Sequence, residues 1–161
     1  MRVFVDSSTL IALARIGKLE MLRTVFKEIF ITTAIKQEII TEKSPDAEAF
    51  KDAINQWIKV ADYKGKTAEL KKYGLDSGES SLFLAAQPYD RLILDEANAR
   101  RFAEAKGLKF TGLIGLIVAA VRTRKLTGKD ALEIITKLAA GDFRVSTELY
   151  LWARGEIERN C

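Results

Sequence analysis

Apolar positions along the chain fall into two patterns. Short unbroken runs recur at Val3-Phe4-Val5, Ile29-Phe30-Ile31 and Leu92-Ile93-Leu94, the signature of strands buried on both faces of a parallel sheet. Between them, apolar residues return every three or four positions, as one buried helix face requires. The pattern predicts strands over 2–6, 28–32, 57–60, 91–95 and 108–110. It predicts helices over 8–16, 18–23, from Thr33 onward with Ile35, Ile39 and Ile40 on one side, and from Ser44-Pro45-Asp46 to 56 with Pro45 at the first helical position. Further helices are expected over 66–73, ending near Gly74, from Asp76 to 87, over 97–106, stopped by Gly107, and over 113–124. Two amphipathic helices, 128–140 and 146–159, close the chain. Strands separated by helices imply crossover connections and an α/β fold: a three-layer α/β/α sandwich around a mainly parallel sheet of about five strands. With 161 residues and no repeat or linker, one domain is expected. The segment 126–161 would pack on it or form an oligomer contact.

Two of the strands end in an acid. Asp6 closes the first run and is followed by Ser7-Ser8-Thr9; Asp95 closes Arg91-Leu92-Ile93-Leu94. Ligands of open α/β sheets sit beyond the carboxyl ends of the strands, so two such acids suggest one shared acidic crevice. The plainer role for either Asp is a helix N-cap.

Composition narrows the chemistry. The chain has no His, and its one Cys is Cys161. That removes His general bases, Ser-His-Asp triads, thiolate zinc cages and intramolecular disulfides. Carboxylates, hydroxyls, Lys and Arg remain, and clustered carboxylates suit hard cations such as Mg²⁺ or Mn²⁺. The net charge of +4 permits an anionic partner. Met1 leads straight into a strand, and the apolar run 113–121 falls short of the roughly 20 residues of a membrane span. A cytoplasmic protein with no membrane association is expected.

Two further acids stand out. Glu38 lies beside the Ile35/Ile39 face of its helix, with Glu42 one turn on as a competitor; either could simply be solvated. Glu79 follows Asp76 by three residues, the spacing of a capping box. Gly78 between them weakens a first helical turn but allows close approach of a metal or phosphate.

Together these residues resemble the PIN-domain family of nucleases, and more narrowly a prokaryotic PIN-like group with a Leu-Asp-x-Gly-Glu phrase, here Leu75-Asp76-Ser77-Gly78-Glu79. The first acid matches Asp6, the second Glu38, the third Glu79 and the fourth Asp95. Residues 95–100 and Thr111-Gly112-Leu113-Ile114-Gly115 also look like this group, and the likeness covers about residues 1–125. The third position is Asp in many toxin-type PIN domains and Glu here. The resemblance implies a metal-dependent endoribonuclease using Mg²⁺ or Mn²⁺, leaving a 5′ phosphate and a 3′ hydroxyl, with the toxin half of a toxin–antitoxin pair as one biological form. It implies Asp6 as the central metal ligand and Glu79 and Asp95 as the other ligands. Glu38 would be an outer ligand or orient a water, and Ser7 would hydrogen-bond a carboxylate or water behind them. Arg100 becomes a candidate nucleic-acid contact.

The remaining cations, Lys71-Lys72 and Arg122-Thr123-Arg124-Lys125, read as solvated surface. Phe26, Phe30, Phe83 and Phe102 have core-like spacing, and Trp152 fits either core or a dimer contact. RNA, an antitoxin protein and a second copy of the chain in a homodimer are the expected partners. Two other classes stay open. One is a non-catalytic RNA-binding or regulatory relative. The other is a phosphatase or phospho-receiver of another α/β fold: a haloacid-dehalogenase phosphatase would need a second Asp two residues after Asp6, where Ser8 stands, and a receiver would need an additional acidic pair and a late Lys.

Overall fold

The computed structural model describes residues 1–41 and 45–161. Glu42 and Ser44, weighed above as a rival acid and as part of a helix start, lie outside the described residues. Five strands form one parallel sheet: β1 (Val3–Val5), β2 (Ile29–Thr32), β3 (Ile58–Ala61), β4 (Arg91–Ile93) and β5 (Lys109–Thr111), in the order β3-β2-β1-β4-β5. Chain order runs outward from β1 to β2 and β3, then resumes on its other side with β4 and β5. The switch in direction falls between β1 and β4, where neighbouring connections leave to opposite sides and open a crevice at the carboxyl edge. Val3, Phe4 and Val5 are aligned with Arg91, Leu92 and Ile93, so the residues after these strands emerge side by side.

Helices flank the sheet in the three-layer arrangement: α1 (Ser7–Arg15), α2 (Glu20–Phe26), α3 (Thr33–Ile39), α4 (Ala47–Ile54), α5 (Ser77–Ala85), α6 (Ala97–Ala105), α7 (Leu113–Arg122), α8 (Gly128–Ala140) and α9 (Thr147–Arg159). Phe4, Val5, Ile31, Leu92 and Ile93 form the buried middle, and Leu10, Leu13, Ile35, Leu82 and Ile117 cover it from the helices. Helices α8 and α9 pack on α7 and on each other. Among the described residues no helix is long and apolar enough to cross a membrane.

The structure departs from the sequence pattern in two elements. Residues Thr67–Tyr73 form a 3₁₀ helix and bury no side chain fully; Leu70 packs against the core only partly buried, and so narrow an apolar face leaves the segment in the tighter turns. It stops at Gly74, whose left-handed φ of 76° suits glycine and whose carbonyl accepts from Asn98 Nδ2 at 3.3 Å. Pro45 is not the first residue of α4. Asp46 intervenes with a non-helical ψ of 2°, and the helix starts at Ala47.

Candidate active site at the carboxyl edge

Asp6 follows β1 directly. Its backbone N–H donates to the Ile93 carbonyl at 3.1 Å, continuing the ladder one residue past the strand. Its carboxylate spans two elements: Oδ1 accepts from Thr9 N–H at 2.9 Å, capping α1, and Oδ2 accepts from Asp95 N–H at 2.7 Å, across the sheet edge. The two roles weighed for this residue, cap and edge acid, therefore coincide. Asp6 is only 3% exposed. Burial pushes its pKa up to about 6, against the hydrogen bonds from Thr9 and Asp95 and with the Asp95 charge adding to the rise. Among the described residues it has no ion-pair partner.

Asp95 lies two positions past β4 and is partly buried. Burial raises its pKa, Arg100 opposes the rise and Glu96 adds to it. Arg100 is held in place: Nε donates to the Leu94 carbonyl at 3.0 Å, and Nη2 stands 3.9 Å from Asp95 Oδ1. The guanidinium lies against Gly112, where a Cβ would come within 2.5 Å of Nη2.

Glu38 approaches from α3. Ser7 Oγ donates to its Oε2 at 2.9 Å, and its Oε1 rests on Gly78, in the space a side chain there would fill. The glycine thus makes room for a protein carboxylate, a use the sequence pattern did not suggest. Burial raises the Glu38 pKa; the Ser7 hydrogen bond opposes this and the Asp76 charge reinforces it.

Asp76 and Glu79 form a reciprocal capping box at the start of α5: Asp76 Oδ1 accepts from Glu79 N–H at 2.8 Å, and Glu79 Oε1 accepts from Asp76 N–H at 3.1 Å. Capping uses only one Glu79 oxygen. Oε2 is buried and has no hydrogen-bond partner. The Glu79 pKa is pushed up to about 7, first by burial, opposed by the Asp76 N–H and reinforced by the charges of Asp76 and Glu96.

A buried hydroxyl relay ties α3 to α5. Thr32 Oγ1 caps α3 by accepting from Ile35 N–H at 3.2 Å and meets Ser81 Oγ at 2.5 Å; Ser81 in turn donates to the Gly78 carbonyl at 2.6 Å. The relay fixes the helix carrying Glu38 against the helix carrying Glu79.

Electrostatic neighbours thus run along the edge from Glu38 through Asp76, Glu79 and Glu96 to Asp95 and Asp6. Sequence reasoning gave Asp76 only a capping role and overlooked Glu96; the one available signal was Glu96's place next to Asp95. Asp6 and Asp95 meet directly, Glu38 reaches Asp6 only through neighbouring Ser7, and Glu79 joins through Asp76 and Glu96. Among the described residues no three acidic side chains are gathered closely enough to surround one ion.

The profile of the PIN-domain family matches residues 2–158. The chain belongs to the PIN-domain family. No curated protein and no solved structure matches it. The match runs from β1 into the last turns of α9, so it takes in the C-terminal helices as well as the acidic edge. As a PIN domain, the chain has a nuclease-type function, in keeping with an edge whose available chemistry is carboxylates and one fixed Arg.

Proposed function

We propose that this PIN domain is a divalent-metal-dependent endoribonuclease, with Asp6, Glu79 and Asp95 toward the cation, Glu38 beside them and Ser7 behind Glu38. The observation that carries the reading is the buried Glu79 Oε2, without a hydrogen-bond partner among the described residues, on the same acidic edge as the buried Asp6, which has no ion-pair partner among them. Buried carboxylate oxygens left unpaired are costly, and a hard cation would satisfy them. The all-oxygen donor set fits Mg²⁺ or Mn²⁺, which need only one or two carboxylates each and keep several waters; a three-carboxylate cage is not required.

A bound ion would supply an activated water at neutral pH and neutralise charge on the leaving 3′ oxygen. The chain's own residues do the rest. Thr9 and Asp95 amides each hold one oxygen of Asp6, leaving each oxygen a further lone pair. Ser7 and Gly78 fix the Glu38 carboxylate where it can orient water. Arg100, steered by the Leu94 carbonyl, offers its guanidinium to a phosphate oxygen, and a bidentate Arg–phosphate contact would exchange for its 3.9 Å contact with Asp95.

The test is cleavage of a mixed RNA pool with Mn²⁺, with and without chelator. Wild-type protein should cut internally and leave 5′ phosphates, chelator should stop it, and Asp6→Asn should lower it on the order of a thousandfold. Cleavage undiminished by chelator or by Asp6→Asn would overturn the proposal.

A further inference from the structure

A cleft of about 1050 Å³ opens beside the acidic edge and extends to the corner between α8 and α9. It is larger than the sites that hold most small ligands, roughly 300–1,000 Å³. Its inner end carries Asp95, Glu96 and Arg100; its far end carries Phe143, Arg144 and Trp152; Arg15 and Lys137 lie along it over apolar residues of α1 and α8. Trp152 is 44% exposed on a helix whose buried positions are Ala153 and Ile157. It is therefore neither a core residue nor needed to seat α9.

We infer that this cleft is the path of single-stranded RNA leaving the acidic edge, with an unpaired base stacked on Trp152 and phosphates held by Arg15 and Arg144. The inference rests on the nuclease reading above and adds the binding surface that this chain's own Trp152, Arg15 and Arg144 form. Charge and shape both favour this occupant. Beyond the Asp95 end lie three cations and one acid, Asp142; one of the three, Lys137, is already paired with Glu133 at 3.1 Å, which leaves Arg15 and Arg144 for a ligand. Asp142 and Arg15 are both largely exposed and 3.5 Å apart, a pair of little strength that a phosphate can replace. Arg144 has no ion-pair partner among the described residues. Alternating cations and aromatic faces serve single strands, whose bases are free to stack; a duplex hides its base faces.

Trp152 is also the reporter. The other tryptophan, Trp57, is 3% exposed, so quenching by RNA reads Trp152. In an Asp6→Asn background, which keeps the RNA intact, a ten-nucleotide single strand should quench the fluorescence and the matching duplex should not. Trp152→Ala should weaken binding about tenfold, and Trp152→Phe should restore most of it. Arg144→Glu, at an exposed position, should weaken binding and lower the salt slope by about one or more. With the wild-type acids and Mn²⁺, Trp152→Ala should raise KM for RNA and leave kcat unchanged. Active enzyme indifferent to both substitutions would overturn the inference and leave the nuclease reading standing. So would equal quenching by duplex, or sedimentation showing a dimer that shields Trp152 from acrylamide. Quenching without any cleavage would uphold the cleft as an RNA site and remove the catalytic reading.

Discussion

Two buried aspartates lie at opposite ends of the central strands. Asp90 precedes β4 at the amino edge and is 1% exposed; Asp6 follows β1 at the carboxyl edge and is 3% exposed. Asp90 accepts from the backbone N–H of Arg2 at 2.9 Å and of Gln87 at 2.8 Å, and from the Arg2 guanidinium at 3.0 Å. Burial would raise its pKa, but these hydrogen bonds and the Arg2 charge outweigh burial and hold it below the usual value. Asp6 has two amide donors and, among the described residues, no ion-pair partner, and its pKa rises to about 6. Residue type and surface exposure match; what differs is that Asp6 lies deeper in the protein, where desolvation weighs more, and that the chain supplies a counter-charge to Asp90 alone of the two. At the amino edge the acid completes the fold. At the carboxyl edge no side chain among the described residues pairs with the acid, and in the proposed function a divalent cation would balance its charge.

The largest expected effects come from exchanging these two roles. Asp6→Asn should lower RNA cleavage on the order of a thousandfold, while stability without metal stays level or rises. Asp90→Ala should leave turnover per folded molecule unchanged and cost about 2–3 kcal/mol of stability, read by urea denaturation. A large loss of stability in Asp6→Asn without metal would erase the distinction between the edges.

The contrast also sets a pH dependence of opposite sign. The folded pKa values of Asp6, about 6, and Glu79, about 7, lie above their ordinary values. The folded state therefore binds these protons more tightly. Their stabilisation is fully present below about pH 4 and is lost as pH rises through 6 and 7. For Asp6 alone this is on the order of 3 kcal/mol. The lowered pKa of Asp90 works the other way, its contribution being lost in acid. In EDTA, Asp6→Asn should gain Tm relative to wild type between pH 4 and 7, whereas the deficit of Asp90→Ala should shrink toward low pH. A parallel pH course for both variants would contradict the assignment.

The strand runs and the repeated strand-Asp pattern made the parallel sheet and the positions of Asp6 and Asp95 legible, because burial on both faces and the carboxyl-edge rule act locally. Glu38 was less so. In sequence it is an ordinary helix glutamate, and only the fold brings Ser7 and Gly78 to its carboxylate. The family resemblance singled it out where spacing did not. The missing side chain of Gly78 predicts a close approach, and the group that approaches is the Glu38 carboxylate. Glu96 enters the acidic edge through long-range electrostatics, which no local pattern encodes. The segment Thr67–Tyr73 has a composition that suits an α-helix, yet with only a narrow, partly buried apolar face at Leu70 it forms 3₁₀ turns.

Smaller effects should follow from the two glycines that admit side chains to the acidic edge. Gly78→Ala must displace Glu38, and Gly112→Ala must displace Arg100. Each should lower activity about 10- to 100-fold, the range for groups that orient ligands, with little change in far-UV circular dichroism. Gly112→Ala should act mainly on KM, since Arg100 is assigned to phosphate. Full activity in Gly78→Ala would remove Glu38 from the mechanism. The smallest effect belongs to Ser81→Ala. Breaking the relay from Thr32 to Gly78 should cost about 1 kcal/mol and a few-fold in rate, measured by denaturation and by initial rates.

The central claim, that the carboxyl edge leaves its charge for a divalent cation to balance, is tested most directly by melting the protein at pH 7.5 with and without millimolar Mn²⁺. Wild type should gain several degrees in Tm, because the ion binds the folded state. Asp6→Asn should lose most of that gain, and Asp90→Ala should keep it from a lower baseline. A wild-type Tm indifferent to Mn²⁺, or an equal gain in Asp6→Asn, would contradict the account.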